Sequence, residues 1–108
     1  MHGIYLKIYV GESQKHTGML LYEWLLEQAK KIGISGGSAF RAIAGYGRHG
    51  VMHEEGFFEL AGNLPVEVVF MVSENDATRL LNLIVAEKLK MFYVKIPAQY
   101  GVAGEERT

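Results

Sequence analysis

Three short stretches carry most of the chemistry this chain could perform. GYGRHG, Gly45 to Gly50, spells G-x-G-x-x-G, a pattern that can cradle phosphate on amides freed by glycine, with Arg48 adding a positive charge. Just beyond it His49 and His53, four apart and followed by Glu54 and Glu55, offer donor types able to chelate a divalent ion from a bent loop. Earlier in the chain Glu12 and His16 make a polar pair that could orient a ligand or fix a loop. Nucleophilic chemistry is less well served. Ser13, Thr17, Ser35 and Ser38 lack a strand-turn-helix elbow with histidine and acid partners, and there is no cysteine for thiolate catalysis or thiolate metal binding. Acid-base or metal-assisted catalysis through Glu12, His16, His49 or His53 stays open as an alternative, while the leading expectation is a protein that is not an enzyme.

The elements that must position these residues follow from periodicity. Ile4, Leu6, Ile8 and Val10 alternate with Tyr5, Lys7 and Tyr9 as a strand with two distinct faces. From about Gly18 the period becomes helical, with Leu20, Leu21, Trp24, Leu25, Ala29 and Ile32 on one side, and Gly33 is suited to end that helix. Ala39 to Tyr46 reads as a second strand, with Phe40 facing the core and Arg41 and Ile43 on the other side. Pro65 leads into an apolar strand, Val66 to Val72, and Ser73 with Asp76 then opens a second helix that ends near Leu89. Met91 to Ile96 supplies a fourth strand that Pro97 stops.

The order βαββαβ predicts an α+β ferredoxin-like sandwich, a four-stranded antiparallel sheet with both helices on one face. This context rules out a dinucleotide fingerprint, because GYGRHG follows the second strand and opens no helix. The sheet's other face carries Tyr5, Lys7, Tyr9, Arg41, Ile43, Glu67, Val69, Met71, Tyr93 and Lys95. That mixture is too apolar for a solvated surface and too charged for a monomer's core, so it is expected to be an oligomer interface.

With 108 residues, 49% of them apolar, the chain supports one core and is expected to be a single domain over 1–108, with a frayed tail at 101–108. Eleven basic against twelve acidic side chains, without a basic stripe, argue against a nucleic-acid partner. The N-terminal segment has no signal-peptide core, and no apolar run suits a membrane span, so a cytoplasmic location is expected.

GISGGSAFRAIAGYG, Gly33 to Gly47, together with NLPVEVVFMV, Asn63 to Val72, and GESQKHTGMLLYEWL, Gly11 to Leu25, resembles the bacterial and archaeal family called domain of unknown function 190. Members of that family are similar in fold to PII signal-transduction proteins. The resemblance implies a PII-like homotrimer whose sheets face inward, with a small effector, an adenine nucleotide among the candidates, between subunits. It places ligand-binding residues at Gly45, Tyr46, Gly47 and Arg48 and at Lys88 and Lys90; Glu12 and His16 join them as candidates on the chemistry of their own pair. Residues 47–62 become a flexible T-loop-like arm offering Met52, Phe57 and Phe58 to a partner, by analogy a membrane transporter or a metabolic enzyme. Two departures stand out: EKLKMFYV has no glycine where PII proteins carry a glycine-rich phosphate loop, and the arm has no tyrosine to be uridylylated. The alternative reading is a metal-binding trimer using His49 and His53.

Overall fold

The computed structural model describes residues 1–46 and 64–105. The elements among them are β1 (His2–Gly11), β2 (Lys15–His16), β3 (Met19–Leu20), α1 (Leu21–Lys31), β4 (Ser38–Arg41), β5 (Pro65–Val72), α2 (Glu74–Ala86) and β6 (Phe92–Gln99). The main sheet runs β4-β5-β1-β6 with every neighbour antiparallel, the arrangement of a ferredoxin-like fold. No helix among the described residues is long and apolar enough to cross a membrane.

Alternation along β1 and β5 sends Ile4, Leu6, Ile8, Val10, Val66, Val68, Phe70 and Val72 to the helix side, where α1 adds Leu21, Trp24, Leu25 and Ala29 and α2 adds Ala77, Leu80 and Ile84. All of these are buried. Each large aliphatic side chain so withdrawn from water stabilises the fold by about 1.5–3 kcal/mol. At Gly37 the chain passes so close to Phe70 that an added Cβ would lie 2.5 Å from its ring.

Two helix ends use one device. After α1, Ile34 N–H bonds to Ala29 O and Gly33 N–H to Lys30 O, with Gly33 at φ +97°. After α2, Leu89 N–H bonds to Ile84 O and Lys88 N–H to Val85 O, but the left-handed position is held by Lys88 at φ +59°. Both are Schellman stops, and only the first has the residue that such a stop prefers. At the other end of α2, Ser73 Oγ accepts from Asp76 N–H at 3.0 Å, the cap expected from the sequence.

Four expectations are corrected. Between β1 and α1 lies a tight hairpin, β2 and β3, in place of early helix; its turn residues Thr17 and Gly18 both have positive φ, as a two-residue hairpin turn requires. β4 ends at Arg41 instead of Tyr46, although Ala42 N–H still reaches Pro65 O at 2.9 Å. β6 continues through Pro97 to Gln99, which its place at the sheet's edge allows. The faces of both edge strands are also the reverse of those expected.

Paired residues of antiparallel strands share a face. Phe40 pairs with Glu67 and is 56% exposed on the open face, whereas Arg41 pairs with the core residue Val66. Phe92, Val94 and Ile96 pair with Tyr9, Lys7 and Tyr5, so they belong to the open face. Tyr93 and Lys95 pair with Ile8 and Leu6 on the helix side, where Lys95 Nζ meets Glu74 Oε2 of α2 at 2.9 Å. Ile43 lies beyond the strand and is 96% exposed. Tyr5, Lys7, Tyr9, Glu67, Val69 and Met71 occupy the open face as expected.

Candidate functional site

Register determines what meets at one end of the sheet. β1 finishes at Gly11 opposite Pro65, the first residue of β5, and β4 finishes opposite Val66. β6 begins at Phe92 opposite Tyr9. α2 runs back from β5 to deliver Glu87, Lys88 and Lys90 to the same end, and the β2-β3 hairpin folds over it. Glu12, His16, Gly45, Tyr46, Lys88 and Lys90 are thereby gathered at a single edge of the molecule from three separate parts of the chain.

The hairpin is held from both sides. Gly11 N–H donates to the Gln14 side chain at 2.8 Å, and Gln14 O accepts from Leu21 N–H at 2.7 Å, which satisfies the first amide of α1 in the absence of a side-chain cap. His16 Nε2 meets Glu87 Oε1 of α2 at 2.9 Å, while its ring stands edge-on to Trp24 of α1 with centroids 4.8 Å apart. His16 thus bridges three elements.

Glu12 and His16 do not pair with each other, contrary to expectation. Glu12 turns the other way: its N–H donates to Leu64 O at 2.9 Å, and its Oε2 lies 3.4 Å from Arg41 Nη1. Its Oε1 is buried without a hydrogen-bond donor among the described residues. These contacts tie the end of β1 to both roots of the segment that joins β4 and β5. Gly45 lies against Pro65, and Tyr46 is exposed.

Lys88 and Lys90 are exposed, and among the described residues neither has an ion-pair partner. Arg41 and Lys7, by contrast, both have carboxylate partners. Lys7 Nζ lies 3.5 Å from Glu67 Oε1 and 5.9 Å from the ring centroids of both Tyr5 and Tyr9. Burial pulls the Lys7 ammonium down, but Glu67 and the two tyrosines outweigh it and hold its pKa above 10.5. Glu67, on the face expected to be an oligomer interface, is therefore already matched in charge within its own chain.

Gly47, Arg48, His49, Met52, His53, Phe57 and Phe58 lie outside the described residues. Among the described residues, no group of three or more His, Cys, Asp or Glu side chains could hold a metal ion. Sequence reasoning missed Glu87 and Trp24 as the partners of His16: Glu87 is far away in the chain, and the hairpin that turns His16 onto Trp24 was not foreseen. It also missed Phe40, Phe92, Val94 and Ile96, whose exposure makes the open face more apolar than expected, with Tyr9 and Phe92 ring centroids 5.6 Å apart upon it.

Comparison with known proteins adds a context to this geometry. Residues 3–92 match the DUF190 family, described as Uncharacterized ACR, COG1993. A UPF0166 protein of Aquifex aeolicus is 34% identical over 97 residues, which span 82% of this chain and 92% of the relative. A second UPF0166 protein, from Methanocaldococcus jannaschii, is 40% identical over 76 residues, 70% of this chain and 69% of the relative. Among solved structures, apo CPII from Thiomonas intermedia K12, a nitrogen regulatory PII-like protein, superposes with a TM-score of 0.62 at 17% identity, covering 94% of this chain and 95% of CPII. CPII bound to ADP, AMP and bicarbonate gives 0.61 at 19% identity, covering 94% and 96%. A PII-like signaling protein described as putative, from Thermus thermophilus, gives 0.60 at 20% identity, covering 91% and 88%. The fold is PII-like.

Proposed function

Because the chain belongs to the DUF190 family and has a PII-like fold, we propose that it is a regulatory protein that binds a small anionic effector between the subunits of a homotrimer. The observation that carries this reading is the convergence of Glu12, His16, Gly45, Tyr46, Lys88 and Lys90 at one end of the sheet. Two cations without an ion-pair partner among the described residues stand there with the root of the β4-β5 connection, and a convergent set of polar groups beside a cleft is how effector sites are built. An adenine nucleotide is the first candidate; CPII, with the same fold, was solved with ADP and AMP.

In this reading Gly47 and Arg48 complete the site. Residues 1–108 work as one domain, whose arm at 47–62 carries Met52, Phe57 and Phe58 to a regulated partner, a membrane transporter or metabolic enzyme in contact with the cytoplasm. The effector orders the arm; no reaction is catalysed. The apolar open face supports self-association, because a monomer would leave Phe40, Tyr9, Val69, Phe92 and Ile96 on one solvated surface.

Calorimetric titration of ligand-free protein with ADP, AMP and ATP, alongside light scattering, tests this. Saturable nucleotide binding, stoichiometric with subunits of a trimer and lost in Arg48→Ala, is the expected result. A monodisperse monomer, or no heat with any of the three nucleotides, would overturn it.

A further inference from the structure

On the helix side of the sheet, α2 packs over β1 and β5 and reaches β6 through the Glu74–Lys95 pair. Between α2 and β6 runs a groove of about 940 Å³, within the size range of small-molecule sites. Its walls include Leu81, Val85, Met91 and Tyr93, with Asn82 and Lys90 also facing it. Leu81 and Val85 lie one helical turn apart, beside the stripe of Ala77, Leu80 and Ile84 that fills the core. Val85 is 71% exposed and Tyr93 46% exposed, a poor arrangement for solvent and a suitable one for an apolar guest.

We infer that this groove binds a small amphipathic anion, a flat apolar body carrying one anionic group, with the body between α2 and Tyr93 and the anion at Lys90. Charge complementarity selects the anion. Lys90 lines the groove and Lys88 is two residues away, and neither has a carboxylate partner among the described residues; the nearby Glu87 is engaged by His16. Shape and polarizability select the body, since a tyrosine face and a methionine favour an aromatic ring over water. Asn82 provides both a donor and an acceptor for a polar ring edge.

The left-handed backbone at Lys88 is a second observation. Glycine would serve that stop with less strain, yet a cation stands there, at the same helix end that leads into Lys90. This inference rests on the effector reading for the importance of Lys88 and Lys90, but it assigns the apolar part of the ligand to the helix side of one chain. Aromatic acids and nucleotides share the required chemistry.

Amide chemical-shift mapping on the full chain, titrated separately with 2-naphthoate and with ADP, distinguishes these sources. Saturable shifts at Leu81, Asn82, Val85, Lys90 and Tyr93 with either probe, weakened at least about tenfold by Lys90→Glu and unaffected by Lys30→Glu, are expected. Groove shifts with ADP make groove and effector site one; groove shifts with naphthoate alone uphold the groove while the nucleotide reading fails. ADP binding without groove shifts from either probe leaves the effector reading intact and overturns this one. Shifts confined to the open face around Tyr5, Val69 and Ile96, or an unchanged affinity in Lys90→Glu, overturn it equally. Val85→Asp, on the exposed side of α2, is an independent check that leaves both lysines in place and is expected to abolish naphthoate binding.

Discussion

Replacing His16 tests whether the hairpin at the candidate site is fastened as the geometry says. In His16→Ala the bond to Glu87 Oε1 at 2.9 Å and the edge-on contact with Trp24 are lost together. A hydrogen bond of this kind contributes about 0.5–1.5 kcal/mol, here toward the lower end because the Glu87 side chain is 41% exposed. The aromatic contact adds about 0.5–1.5 kcal/mol, so His16→Ala is expected to cost about 1–2.5 kcal/mol. His16→Phe keeps a ring against Trp24 and should lose only the hydrogen-bonding share. Glu87→Ala should cost about 0.5–1 kcal/mol, and the double variant should show a coupling of similar size with His16→Ala. Urea unfolding at fixed protein concentration, followed through Trp24, the single tryptophan, measures each corner of the cycle. A cost below about 0.5 kcal/mol for His16→Ala, or strictly additive variants, would refute the bridge.

Other predictions concern the core, the open face and the sheet's charged centre. Gly37→Ala places a methyl against Phe70 and should destabilise by about 1–3 kcal/mol, an effect largely relieved in a Phe70→Leu background; Gly36→Ala, with open space around it, should change the urea midpoint little. Val69→Glu puts a carboxylate beside Glu67 on the open face and should shift light scattering from the proposed trimer to monomer while circular dichroism keeps the fold; an unchanged mass would place the interface elsewhere. Lys7 has a folded pKa raised above 10.5, so its contribution to stability is complete below that pH and disappears as the pH rises through the folded value. Thermal melts of wild type should therefore fall more steeply above that pH than those of Lys7→Met, and parallel profiles would contradict the assignment.

The two central strands were legible because their apolar residues alternate without interruption, and burial on one face leaves a single register compatible with that pattern. The edge strands were not. In Phe92-Tyr93-Val94-Lys95-Ile96 both faces read as partly apolar, and Lys95 was placed on the wrong side by its charge. At an edge a long cationic side chain can sit on the helix side and still reach water or a carboxylate, as Lys95 does with Glu74. Arg41 illustrates the same freedom in β4, reaching Glu12 from the face of Val66. The candidate site was partly legible: Glu12, His16, Gly45, Tyr46, Lys88 and Lys90 stand out by type and the fold brings them to one end of the sheet, but the pairing of His16 with Glu87 joins residues that only the folded chain brings together. The two-residue strands of the hairpin are too short to impose a period, although Thr17-Gly18 after the polar run Ser13 to His16 was a usable turn signal.

The lysine at the end of α2 sets up a conflict for anyone improving this protein by heat selection. Glycine at position 88 would relieve the left-handed backbone for a gain of about 0.5–1 kcal/mol, so Lys88→Gly should rise early in a thermostability library. The same clones would melt later and carry one cation fewer beside the groove. At this codon a ranking by melting temperature and a ranking by affinity for an anion should run in opposite directions.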